Sequence, residues 1–165
     1  MKKLSIYLLC TILLIMLTGC GKGVKEEDGK TSFICVKRGI KDTSSTSGTS
    51  WEEDITNTAK LDDNKKLTYY STLYHYVYNS KEDCEYWCDI KVKWNDEINK
   101  NGYPGGHRET KCSCDKKELD EKYVYEDIPN LASILRSDIR ELKSDNSFDL
   151  DAWLSKYEKI NYNCN

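Results

Sequence analysis

Four cysteines constrain this chain more than any other residues. Three residues separate Cys84 from Cys88, and one separates Cys112 from Cys114. An i, i+4 pair faces one way from a helix, and an i, i+2 pair shares one face of a strand. A helix with the first pair, laid on a strand with the second, can form two side-by-side bridges. Two pairings are open. If the two elements run antiparallel around Pro104-Gly105-Gly106, the helix reaches back from Lys100 about 18 Å to Cys88 and about 24 Å to Cys84. The strand reaches from His107 about 17 Å to Cys112 and about 23 Å to Cys114. That matches Cys88 with Cys112 and Cys84 with Cys114. A parallel arrangement would pair Cys84 with Cys112 and Cys88 with Cys114. The nested order is the one adopted, and it leaves Cys35 with Cys164, tying the first strand to the C-terminus.

The same four positions resemble the cysteine-stabilised αβ motif of defensins, where C-x₃-C on a helix meets C-x-C on a strand. The likeness is one of shared geometry in those residues alone. A four-cysteine zinc site is the rival use, but its ligand spacings are longer, and an oxidising exterior disfavours free thiolates. There is no C-x-x-C for a redox pair.

Whether the thiols are oxidised depends on where the chain lives, and the first twenty residues address that. Lys2 and Lys3 precede an apolar run from Leu4 to Leu17, a positive n-region followed by a hydrophobic segment. The run is about 14 residues, short of the roughly 20 needed to span a bilayer. It ends in Leu17-Thr18-Gly19-Cys20, which resembles the lipobox of bacterial lipoproteins. That resemblance implies a diacylglyceryl group on Cys20 Sγ, cleavage before Cys20 and an acyl chain such as palmitate on the new amino group. Two or more chains hold firmly where one binds marginally. The expected location is the cell membrane, lipid-anchored, on its extracytoplasmic face.

Cysteine use then divides cleanly. Cys10 leaves with the leader, Cys20 takes lipid, and the even set of six reads as three disulfides. The expected organisation is a signal peptide over 1–19, a lipidated flexible tether over 20–30 and one domain over 31–165. Loss of Lys2 and Lys3 makes the net charge of −3 more negative by two. An acidic domain argues against nucleic acid as a partner and against a polybasic grip on anionic lipid.

Along the domain, Thr31–Arg38 reads as a strand with Phe33, Cys35 and Lys37 on one face. Lys41–Ser50 reads as a surface loop rich in serine and threonine. Trp51–Leu61 and Lys66–Tyr78 alternate as strands around an Asp62-Asp63-Asn64 turn. On the second of these, Leu67, Tyr69, Leu73, His75 and Val77 share one face and Tyr70, Tyr74, Tyr76 and Tyr78 the other. Ser80 opens a helix with Cys84, Trp87, Cys88, Trp94 and Ile98 on one stripe. A short strand over 90–94 is the competing reading. Arg108–Cys114 and Glu121–Ile128 follow as strands, then helices over Asn130–Leu142 and from an Asp149 cap. Phe148 and Trp153 fit a hydrophobic staple there, and Leu150, Leu154, Tyr157 and Ile160 complete its apolar side. The order predicts an α+β fold: an antiparallel sheet of about five strands with helices on one face. It resembles the small YehR-like bacterial lipoproteins in the lipobox, polar tether, strand pair around Asp63-Asn64 and Tyr123–Asp127 strand. No established activity comes with that resemblance, and the added cysteines depart from it.

No nucleophile motif or phosphate loop is present. His75 reads as a packed, hydrogen-bonded histidine and His107 as a solvated one. Glu52-Glu53-Asp54 reads as solvating a strand edge. No cofactor or metal is expected. The candidate site is the face of Tyr70, Tyr74, Tyr76 and Tyr78. Exposed, it would be an aromatic platform for a glycan or an envelope protein; covered by helices, it would be core. The expected role is a non-catalytic binding or envelope-associated domain. A small membrane-tethered hydrolase and an inhibitor or exclusion module acting on another envelope protein are the alternatives.

Overall fold

Alternation of aromatic or aliphatic residues with polar ones makes long strands of the first half of the domain. The computed structural model describes residues 25–27, 30–101, 106–126 and 139–165. Outside them lie Cys20 and the residues expected to form the leader, the Pro104-Gly105 loop and all but the last four residues of the helix expected over Asn130–Leu142. Those four form a turn and a bridge to Phe148 instead of helix. The strands are β1 (Lys25–Glu27), β2 (Lys30–Thr43), β3 (Ser50–Leu61), β4 (Leu67–Tyr78), β5 (Gly106–Ser113), β6 (Glu118–Glu126) and β7 (Asn163–Cys164). The helices are α1 (Lys81–Lys100), between β4 and β5, and α2 (Leu150–Lys159), before β7. All strands form one antiparallel sheet in the order β1-β2-β3-β4-β6-β5, and β7 adds to β2.

The ladder registers put one set of residues on a common inner face. Trp51, Glu53, Ile55, Asn57 and Ala59 stand opposite Tyr78, Tyr76, Tyr74, Thr72 and Tyr70. On β6 the same rows continue through Leu119, Glu121, Tyr123 and Tyr125. Both helices lie on this face. The chain is thus an α+β fold with an antiparallel sheet, helices on one side and three disulfides. Cys84–Cys114 and Cys88–Cys112 fasten α1 to the β5–β6 end, in the nested order, because α1 and β5 run antiparallel. Cys35–Cys164 fastens the C-terminus to β2. Ile34 and Asn165 exchange both backbone hydrogen bonds beside it, so Cys35 and Cys164 form the close, non-bonded pair of the ladder.

The helix boundaries follow local chemistry. Ser80 accepts a hydrogen bond from Asp83 N–H at 3.0 Å and caps α1, whose first turn carries Glu82 and Asp83 at the positive end of the helix dipole. Asp149 caps α2 by accepting from Ala152 N–H at 3.1 Å. Phe148 packs on Trp153 with ring centroids 5.8 Å apart, the expected staple.

Several expectations give way. Strand structure begins at Lys25, where β1 pairs with the start of β2, inside the stretch expected to be a tether. The serine-rich loop shrinks to a turn, because β2 continues to Thr43. It does so through a bulge between Lys37 and Ile40, where Gly39 takes φ 66° and donates its N–H to Asp54 Oδ1 at 2.8 Å. A second irregularity, between Lys60 and Leu61, adds a residue and reverses side-chain parity. Leu67 therefore joins Tyr70 in the core rather than Tyr69 and Leu73. β3 is interior, so Glu53 solvates no edge. Trp94 and Ile160 are 55% and 49% exposed. Trp94 stands on the flank of α1 rather than beneath it, and Ile160 follows the last residue of α2.

Candidate functional site

The tyrosine face does not form an exposed platform. Tyr70, Tyr76 and Tyr78 are buried. α1 covers the last two through Cys84 and Trp87, and α2 covers Tyr70 through Trp153 and Tyr157. The reason is simple: these rings supply the apolar area on which the helices rest.

Beside α2 the described residues leave a recess on the inner face. A cavity of about 300 Å³ remains there, floored by Asn57, Tyr70, Thr72, Tyr74 and Tyr123 and walled by Tyr157 and Tyr162. Two of the expected site residues, Tyr70 and Tyr74, thus line a recess instead of a surface. Arg108 reaches it from β5, its guanidinium 4.3 Å from the Tyr123 ring centroid. Tyr125 closes the lower end, and Gly106 beside it is obligatory. A Cβ on Gly106 would lie 2.9 Å from both the Tyr125 ring and Val124 O.

The polar groups of this recess are ordered by one another. Asn57 Oδ1 accepts from Tyr70 Oη at 3.1 Å and from Thr72 Oγ1 at 2.8 Å. Tyr70 Oη lies 3.2 Å from Tyr157 Oη. Burial pushes the Tyr162 hydroxyl up to about 12, with Tyr157 adding to the rise. Burial also raises Tyr70, Tyr123 and Tyr157. These phenols therefore stay neutral and act as hydrogen-bond donors and acceptors across the ordinary pH range.

One step up the sheet, charges replace hydroxyls. Lys91 of α1 reaches Glu121 at 2.6 Å, with the Glu121 side chain 2% exposed. Glu53 accepts a 3.3 Å hydrogen bond from Trp51 Nε1. Its carboxyl is raised above the ordinary range, chiefly by burial and further by Asp42, against opposing contributions from the Trp51 bond and Lys91.

The remaining candidates lie elsewhere. His75 is on the outer face, 2.7 Å from Asp120 and about one-third exposed, so it is hydrogen-bonded but not packed beneath other elements. His107 lies on β5, 2.9 Å from Glu109. It is not brought near His75's carboxylate partner. Among the described residues no group of three or more histidine, cysteine or acidic side chains could hold a metal ion, and no helix is long and apolar enough to cross a membrane.

Sequence reading missed Arg108, Asn57 and Thr72. Their alternation was visible, but which strands become neighbours is not a local property. The placement of β6 between β4 and β5 is what brings Arg108 to Tyr123.

Fold and recess define a disulfide-bonded α+β domain with a tyrosine-lined cavity beside α2. No protein-family model matches the chain, and neither a curated protein nor a solved structure matches it.

Proposed function

We propose that this protein is a lipid-anchored, extracytoplasmic binding module, held at the cell membrane through acylated Cys20, as in the small YehR-like lipoproteins its element order resembles. The observation that carries the reading is the cysteine count. Six of the eight cysteines are joined in disulfides, which leaves Cys10 inside the apolar run and Cys20 at its small-residue end. Disulfides at this density belong to oxidising compartments, and a lone cysteine after Leu17-Thr18-Gly19 is where lipid is attached. The domain binds rather than catalyses: its recess offers aromatic rings and neutral hydroxyls, which recognise a ligand without activating a nucleophile.

The anchor is tested by Cys20→Ser in the full chain, expressed in a bacterium that processes lipoproteins. Wild type is expected in the detergent phase on phase partitioning, with a mass larger than the unmodified chain from Cys20 to Asn165 by that of its acyl groups. The variant is expected to lose both properties. Unchanged partitioning and mass would remove lipidation from the account.

A further inference from the structure

We propose that the recess beside α2 binds a saccharide, one or two sugar rings deep, presented with its C–H face to the tyrosines. This deepens the binding-module reading and rests on it. Three observations on the inner face support this ligand class over others.

The first is the mixture of groups. Tyr74 and Tyr123 meet edge-to-face, their centroids 5.6 Å apart, and give the recess a rigid aromatic floor between the Tyr157 and Tyr162 walls. Asn57, Thr72 and the neutral phenols supply closely spaced hydrogen-bond donors and acceptors between those walls. A sugar ring has the complementary make-up: apolar C–H faces that pack on aromatic rings, and a rim of hydroxyls that each need a partner once buried. A lipid tail would use none of the remaining donor and acceptor capacity of these groups, whereas a sugar's hydroxyls can join their network.

The second is charge. Among the described residues no carboxylate lines the recess, and Arg108 stands at its side with its guanidinium over Tyr123. A tyrosine cage of this kind would otherwise suit a quaternary ammonium ligand. The guanidinium already occupies the cation position on that ring and repels a second cation. The ligand is therefore not a cation.

The third is size and approach. The recess, about 300 Å³, is at the small end of the range of about 300–1,000 Å³ for ligand pockets, which suits a short saccharide rather than a folded partner. An exposed aromatic ring stands on α1. Trp87 reaches toward β3 and packs against Trp51 at 6.4 Å. Trp94 follows seven residues later, hence two turns along the same flank of α1, and is 55% exposed. Asn95 bonds Thr110 and Lys91 bonds Glu121, so Trp94 stands at the level of Tyr74, the partner of Glu121 across the ladder.

The test uses the full chain in a polyoxyethylene detergent, which carries neither sugar nor ammonium groups. The protein is applied to a glycan array that includes neutral and uronic-acid oligosaccharides. Hits are titrated as free sugars by tryptophan fluorescence. Saturable binding is expected, weakened at least tenfold by Tyr74→Ala and about fivefold by Thr72→Val. Tyr69→Ala, on the outer face, should bind as wild type does. Thermal melting of each variant shows whether it folds. Thr72→Val keeps the shape of the side chain, so it decides the matter if Tyr74→Ala does not fold. Retention by no glycan overturns the proposal, as does sugar binding indifferent to Thr72→Val, or competition for the recess by tetramethylammonium. Membrane retention through Cys20 is read separately, so loss of sugar binding would leave the anchor reading intact.

Discussion

The two helices rest on the same sheet face but are held there by different forces. α2 is ten residues long and buries Trp153 completely, against Phe148 on one side and Tyr157 on the other. α1 is twice that length, and its fully buried residues are Cys84 and Asn95. Its inward stripe runs Cys84, Cys88, Lys91, Asn95 and Asn99. Below the two bridges it is polar: Lys91 pairs with Glu121, Asn95 donates to Thr110, and Asn99 exchanges two hydrogen bonds with the Arg108 backbone. One helix is placed by the hydrophobic effect. The other is placed by covalent bonds and by polar partners that must find one another. A helix with so little apolar area to bury needs cross-links to stay down.

The disulfides allow the sharpest comparison. Cys35–Cys164 spans 129 residues and Cys88–Cys112 spans 24. In the loop-entropy view the longer closure contributes about 5 kcal/mol and the shorter about 3.5 kcal/mol. Cys35→Ala/Cys164→Ala is expected to lower urea-unfolding stability more than Cys88→Ala/Cys112→Ala. Native-state hydrogen exchange should separate them in kind as well. Without Cys88–Cys112, amides of α1 should open ahead of the rest, while those of α2 stay protected until global unfolding. If α1 and α2 lose protection together in that variant, the two helices belong to one cooperative unit and the contrast between them fails.

The Lys91–Glu121 pair examines the polar half of the contrast. Glu121 has almost no exposed surface and Lys91 little, 2% and 17% of their side chains. Glu121→Ala leaves a buried ammonium without its partner, at an expected cost of about 3–5 kcal/mol. Replacing both, as Lys91→Met/Glu121→Leu, removes the desolvation penalty together with the attraction. The double variant is expected within about 1 kcal/mol of wild type, or above it. Chemical denaturation of the two singles and the double closes the cycle. A double variant as unstable as Glu121→Ala would mean that the pair supplies net stability and is more than a register device.

Those differences explain what was legible in the sequence. Strands β3 and β4, the Asp62 turn, the Ser80 and Asp149 caps and the Phe148–Trp153 staple are written in neighbouring residues, and all could be read. The cysteine spacing reported helix against strand, because i, i+4 and i, i+2 each carry a direction. What failed was parity and neighbourhood. The irregularity at Lys60/Leu61 moved Leu67 to the other face, and no adjacent residue marks it. The α1 stripe was read through its tryptophans, since apolar residues ordinarily face inward. Trp87 does pack inward, but Trp94 is exposed, and Lys91 and Asn95 turn inward because their partners Glu121 and Thr110 wait on strands that are distant in sequence. The tyrosines were recognised as the chemically rich face, but whether helices would cover it depended on long-range packing. The recess is lined by residues of β3, β4, β5, β6 and α2, which are far apart in the chain.

The smallest effect lies where the two regions meet, at Glu53. It stands opposite Tyr76 on the inner face, and burial raises its carboxyl above the ordinary value of 4.5. A raised acid is one whose neutral form the fold prefers. Its contribution is complete at pH below about 4.5 and is lost as pH rises through the folded value. At neutral pH the fold therefore carries a partly desolvated carboxylate, eased by the Trp51 Nε1–H bond at 3.3 Å. Glu53→Gln keeps an acceptor for Trp51 and removes the charge. Its melting temperature should equal that of wild type at pH 4 and exceed it at pH 7, the two curves separating as pH climbs between. Trp51→Phe removes the bond that holds the carboxyl down, so the separation from the corresponding Glu53→Gln/Trp51→Phe double variant should begin at the same pH, set by the unfolded carboxyl, but continue to higher pH and be larger at pH 7. Parallel curves for Glu53→Gln and wild type would mean that Glu53 is solvated, and that the space between the helices is more open to water than the buried Tyr76 beside it implies.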